Sequence, residues 1–145
     1  MNNKKINLIL IIIWMIFIFI MSNFNGENSS NQSGFFVNII SNILKIENTE
    51  LLSIIIRKIA HFTEYLILAI LIYNYNKRIY LTIIICIIYS LSDELHQLLV
   101  PDRVFNIYDI IIDSLGSLTG VYMTKLILKN RNSWLKFTYF LYFII

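Results

Sequence analysis

Four apolar stretches joined by short polar links dominate the chain: Ile6 to Met21, Ile54 to Tyr75, Ile79 to Val100 and Val104 to Leu128. The last three are each long enough to cross a hydrocarbon core of ~30 Å at ~1.5 Å per helical residue. The first lies just below the ~17–25 residues a span usually needs. It follows Lys4 and Lys5 and is broken only by Asn7. A signal peptide is the competing reading, but Ser22-Asn23-Phe24-Asn25 offers no small-x-small cleavage site, so the segment reads as an uncleaved span. Composition agrees with the bilayer as solvent. Of 145 residues, 57% are hydrophobic and 14% charged, against about 25% charged in an ordinary soluble domain. A water-soluble chain of this length buries only about two-thirds of its surface and could not hide that apolar content. The expectation is an all-α membrane protein with one domain over residues 1–145 and four transmembrane helices.

Several classes drop out. A single cysteine, Cys86, sits inside an apolar run and excludes a disulfide framework or a CxxC centre. Four glycines and one proline leave no phosphate-cradling loop, and neither GxGxxG nor GxxxxGK[ST] occurs. The net charge of +3 marks no nucleic-acid surface, because the bases flank apolar segments. They read as topology signals. With the N-terminus inside, eight bases (Lys4, Lys5, Lys77, Arg78, Lys125, Lys129, Arg131 and Lys136) lie on the cytoplasmic side, against four outside (Lys45, Arg57, Lys58 and Arg103). Both termini are therefore expected in the cytoplasm. Residues 22–53 form the external loop. Within it, Phe35 to Ile46 alternates apolar and polar residues at helical spacing, which predicts an amphipathic helix on the outer leaflet. The aromatic tail, 131–145, is expected at the inner interface.

Function points to the polar residues inside the apolar helices. Each ionisable group at the bilayer centre costs at least ~2.5 kcal/mol, so a group of them requires a reason. In the second stretch Arg57, His61 and Glu64 recur at i, i+4, i+7, with Lys58 at the edge of the same arc. In the third, Ser90, Glu94 and Gln97 share a face, flanked by Asp93 and His96. In the fourth, Asn106, Asp109, Asp113, Gly116 and Gly120 form one stripe. With the N-terminus inside, all three polar faces fall in the outer half of the bilayer, which predicts one shared site. Three bases there (Arg57, Lys58, Arg103) face five acids (Glu64, Asp93, Glu94, Asp109, Asp113). Buried charges must be paired, protonated or metal-bound. The histidines and acids also permit a divalent metal of nitrogen and oxygen ligands, although no HExxH is present. The Gly116-Gly120 pair predicts close helix packing within the bundle ahead of dimerisation.

Arg57-Lys58-x-x-His61-Phe62-x-Glu64-Tyr65, Ser92-Asp93-Glu94-x-His96-Gln97, Pro101-x-Arg103 and Asp109-x-x-x-Asp113-x-x-Gly116-x-x-x-Gly120 follow one another in an order and spacing that resemble the VanZ-like family. The resemblance covers about residues 55 to 122. Asp102 departs from it where the family usually has Gly, and Asp113 departs where it usually has Asn. The resemblance implies a bacterial, multi-pass cell-membrane protein, since the founding member gives low-level resistance to the glycopeptide teicoplanin. It supplies a context and no reaction. Combined with the residues, the expected function is an outward-facing polar pocket that binds or acts on an anionic envelope component such as a lipid-linked cell-wall precursor, and so lowers glycopeptide sensitivity. Arg57, Lys58, His61, His96, Gln97, Arg103 and Asp113 are the expected binding residues. No cofactor is expected beyond that possible metal. Two alternatives stay open: an intramembrane hydrolase or transferase acting on a lipid-linked phosphate with Glu64, Glu94 or Asp109 as its catalytic carboxyl, and a polar helix-packing cluster without chemistry.

Overall fold

A computed structural model describes residues 3–23, 34, 37–43, 45, 49–101 and 103–144, with side chains described as far as Lys129. Among them there is no strand. Four long helices follow in chain order: α1 (Asn3–Ser22), α2 (Thr49–Asn76), α3 (Ile79–Gln97) and α4 (Ile107–Ile144). A shorter helical stretch covers 37–43, within the predicted amphipathic segment. Its Ile39 and Ile43 are exposed while Val37 is buried. Phe35, Phe36, Leu44 and Ile46 lie outside the described residues.

Three helices are long and apolar enough to cross a membrane: Lys4–Ser22, Ile79–Gln97 and Ile107–Lys129. The second stretch does form a helix, and at 28 residues it is longer than the predicted span. It is not among those three, because Arg57, Lys58, His61 and Glu64 dilute the apolar content of its first half. The pattern of burial is the inverse of a soluble protein's. Ser90, Glu94, Asp113 and Ser117 are fully buried, while Ile13, Ile84, Ile88 and Leu95 are more than half exposed. Such a surface is stable against lipid, and the polar interior is what hydrocarbon enforces.

Local chemistry sets the helix ends. α2 stops where Lys77 adopts a left-handed φ of 57°, and Asn76 Oδ1 accepts the Arg78 N–H at 2.7 Å. The third helix ends three residues before the predicted Val100. Pro101 cannot continue it, and residues 98–101 close as turns, with the Leu99 and Val100 N–H groups bonded to His96 O and Gln97 O. The fourth starts at Ile107, later than the predicted Val104. Asn106 is its N-cap, its side-chain oxygen accepting the Tyr108 N–H at 3.1 Å. No Gly or Pro follows Gly120, so the helix runs without a break into the predicted interfacial tail, whose side chains lie outside the described residues.

The helices alternate in direction. Ser22, at the end of α1, meets Gln97, at the end of α3, through a Gln97 Nε2–Ser22 Oγ hydrogen bond of 3.1 Å. Trp14 Nε1 donates to Glu64 O at 2.9 Å, and Tyr89 Oη donates to Met15 O at 2.6 Å. These bonds clasp α1 onto α2 and α3 through carbonyls that are otherwise committed to the helices. The apolar core, with Tyr65, Leu68, Ile72, Cys86 and Val121 at its centre, lies among the four helices. The most extensive packing is between α2 and α4, which run parallel. Phe62 faces Gly116, and Leu66 faces Gly120 one turn on; a Cβ at either glycine would collide with the facing carbonyl. The GxxxG therefore works inside the bundle, as predicted.

Gly116→Ala and Gly120→Ala should each lower stability by about 1–3 kcal/mol, the range for overpacking a tight contact. The measure is the thermal-unfolding midpoint in detergent. Leu115→Ala, at a position 51% exposed, should stay within about 0.5 kcal/mol of the parent.

Candidate functional site

The parallel α2–α4 pair carries its polar residues on the same rungs as its glycine contacts. One end of the interface joins Lys58 Nζ to Asp109 Oδ1 in an ion pair. A turn further in, His61 Nδ1 faces Asp113 Oδ1 at 3.3 Å. Next come the Phe62–Gly116 and Leu66–Gly120 contacts. Helical spacing produces this ladder, since each rung lies three or four residues beyond the last on at least one helix.

α3 closes the third side from beneath. Ser90 Oγ donates to Asp113 Oδ2 at 2.6 Å. Glu94 is fully buried, and its Oε2 accepts the Asn106 backbone N–H at 2.8 Å. That bond ties the end of α3 to the start of α4 and positions the 103–106 segment over the site. Asp93 is buried beside Ser22 on the α1 side. Three buried carboxylate oxygens, Asp93 Oδ1, Glu94 Oε1 and Asp113 Oδ1, have no hydrogen-bond partner, and neither has His61 Nδ1. For Asp113 and His61 the 3.3 Å approach is a contact without hydrogen-bond alignment, and it becomes an ion pair when the ring is protonated.

A cavity of about 280 Å³ opens above this layer. Ile54, Arg57, Lys58 and His61 line it from α2, Gln97 from α3, Arg103, Val104 and Asn106 from the connecting segment, and Asp109 from α4. Among the described residues its wall thus holds three bases and one acid, and that acid is paired with Lys58. Burial, followed by the like charge of Arg57, holds the Arg103 guanidinium below its ordinary pKa, against the pull of Glu94, Asp93 and Asp109. An arginine still keeps its charge at neutral pH. Two guanidiniums at one small cavity match the geometry and charge of a phosphoryl anion. The N-terminus of α4, with Asn106 and Asp109 in the lining, lies at the cavity, and its dipole adds to the positive potential.

The expected site residues separate into groups. Arg57, Lys58, His61, Gln97, Arg103 and Asp109 meet at the cavity. Glu94 and Asp113 lie beneath it, fully buried. Glu64 is half-buried outside the cavity lining. His96 turns to α1, with its ring 4.6 Å from that of Phe19 and Nε2 3.3 Å from Asn23 Oδ1. Among the described residues, no group of three or more His, Cys, Asp or Glu is placed to hold a metal ion. Sequence reasoning overlooked Ser22, which it assigned to the loop. The shared level of the α1 and α3 ends was the available signal, because alternating helices bring those two ends together.

Comparison with known proteins agrees with the motifs. The family model VanZ/LLP1 matches residues 7–128, and the chain belongs to the VanZ-like family. No curated protein and no solved structure matches it.

The Lys58–Asp109 pair lies between the exposed and buried extremes, at 28% and 13% side-chain exposure. A double-mutant cycle with Lys58→Met and Asp109→Asn should return an interaction of about 1–2 kcal/mol. That is above the ~0–1 of surface pairs and below the ~3–5 lost on breaking buried ones. Thermal unfolding of the four proteins checks it.

Proposed function

We propose that this VanZ-like protein is a four-span protein of the bacterial cell membrane with both termini in the cytoplasm. Its cavity opens outward and binds the phosphate or pyrophosphate headgroup of an anionic envelope lipid, such as a lipid-linked cell-wall precursor. By engaging that lipid it lowers sensitivity to glycopeptides such as teicoplanin. The observation that carries the reading is the cavity wall, where Arg57, Lys58 and Arg103 converge and Asp109 is the one acid among the described lining residues. Arginine forks match phosphoryl oxygens in geometry as well as charge. A volume near the lower end of small-molecule pockets suits a headgroup, with the lipid tail left in the bilayer. The exposed Ile54 and Val104 at the cavity supply an apolar edge for that tail.

A second reading, hydrolysis or transfer on the same lipid, draws on Asp109, which lines the cavity beside His61. Glu94 is less apt for such chemistry, because its carboxylate holds the Asn106 N–H. Turnover of the lipid pyrophosphate by purified protein, abolished by Asp109→Asn in a folded variant, would favour the enzyme over the binding protein.

Orientation is checked with Val104→Cys in a Cys86→Ala background. A membrane-impermeant thiol reagent should label it from outside the cell, and labelling only from the cytoplasm would reverse the topology. Function is checked in two steps. In lipid nanodiscs, a prenyl pyrophosphate should bind more tightly than inorganic pyrophosphate. Arg57→Gln should weaken it about tenfold or more, as expected for one charge-assisted hydrogen bond. In a susceptible Gram-positive host, the wild type should raise the teicoplanin inhibitory concentration more than that of vancomycin. Arg57→Gln at matched membrane levels should not. Equal binding of inorganic pyrophosphate would point to a soluble anion instead of a lipid.

A further inference from the structure

His61 lines the cavity with one ring nitrogen turned away from it. Nδ1 is buried and faces Asp113 Oδ1 at 3.3 Å. Asp113 is itself enclosed, at 1% side-chain exposure, and Ser90 Oγ donates to its other oxygen at 2.6 Å. Residues from α2, α4 and α3 thus fix one edge of the imidazole in sequence. The ring retains 15% exposure, which leaves the Nε2 side for the cavity. A carboxylate on Nδ1 selects the proton position there and turns the other nitrogen outward, as in carboxylate–histidine pairs elsewhere.

We propose that His61 is the proton-carrying contact of the anion site, with Asp113 as its positioning residue, held in turn by Ser90. The proposal rests on reading the cavity as an anion site. With its proton on Nδ1, the nitrogen beside Asp113, a neutral His61 presents a lone pair to the cavity and meets a phosphoryl oxygen acceptor to acceptor. The imidazolium instead donates Nε2–H to that oxygen. Where His61 is neutral, binding therefore takes one proton from water: neutral His61, a proton and the anion become imidazolium hydrogen-bonded to the anion. No bond within the ligand is broken.

The other charged groups around the ring are Glu64, Arg57 and Lys58 from α2, Asp93 and Glu94 from α3, Arg103 from the connecting segment, and Asp109 from α4. Lys58 occupies Asp109, and Asn106 occupies one oxygen of Glu94. Asp113 is the carboxylate in direct contact with His61.

The test uses the full chain in nanodiscs and a dialkyl pyrophosphate, whose two phosphates stay ionised across the range studied, so that pH acts on the protein alone. Affinity is measured from about pH 6 to 10, a window that spans histidine titration with or without a carboxylate neighbour. In the wild type, affinity should fall with rising pH, by up to tenfold per unit, the limit for uptake of one proton. His61→Gln should remove that slope and bind at the weak, high-pH level throughout. Asp113→Asn keeps an acceptor for Ser90 but removes the charge beside Nδ1. It should bind at low pH and lose affinity at a lower pH than the wild type, and it provides an independent reading if His61→Gln does not reach the membrane. Wild-type binding without pH dependence, or the same slope in His61→Gln, would overturn the assignment while leaving the anion site standing. Failure of the wild type to bind the probe at any pH would remove the anion site and this assignment together.

Discussion

Two helices that are not consecutive in the chain approach backbone to backbone, with no room for a side chain between them. Gly116 and Gly120 let α4 lie against the Phe62 and Leu66 carbonyls of α2, and the rest of the site depends on that approach. With any side chain at those glycines the helices would stand apart, and neither Lys58–Asp109 nor His61–Asp113 could span the gap. Small residues serve this purpose where lipid removes the hydrophobic drive for helices to associate. Because α2 and α4 are parallel, both N-termini fall at one end. A parallel pair has unfavourable dipole alignment along its length, and the Lys58–Asp109 ion pair, the His61–Asp113 contact and close packing offset it.

Charge is layered within this frame. Arginines 57 and 103 and Lys58 line the cavity, while Asp93, Glu94 and Asp113 lie buried around its base. The two-acid excess read from the sequence is therefore not the charge a ligand would meet. Glu94 caps a connection, Asp113 holds a histidine, and Asp109 is neutralised by a lysine. Their placement converts an acidic inventory into a cationic cavity.

Much of this was legible beforehand because hydrocarbon makes polar residues conspicuous. Arg57, His61 and Glu64 at helical spacing, and the Asp109-to-Gly120 stripe, stand out against isoleucine and leucine. Helix ends were less legible. Apolar residues from Leu98 to Val100 and at Val104 and Phe105 hid the full extent of the break at Pro101, which was decided by the Asn106 cap and the Glu94–Asn106 bond. His96 shows the limit of face reading. One residue's rotation on α3 turns it to Phe19 on α1, although Glu94 and Gln97 on the same helix reach the cavity region.

The amino-acid sequence by itself determined the medium, the helical class, the family motifs and the three polar faces. These follow from composition and period, which are local properties of a chain in lipid. Only the tertiary structure decided which acid meets which base. Pairing depends on the rotation and separation of helices that are distant in the chain, and these are set by two glycines, one proline and a buried glutamate acting together. That is why Asp113 belongs to His61, Asp109 belongs to Lys58, and two arginines share the cavity wall.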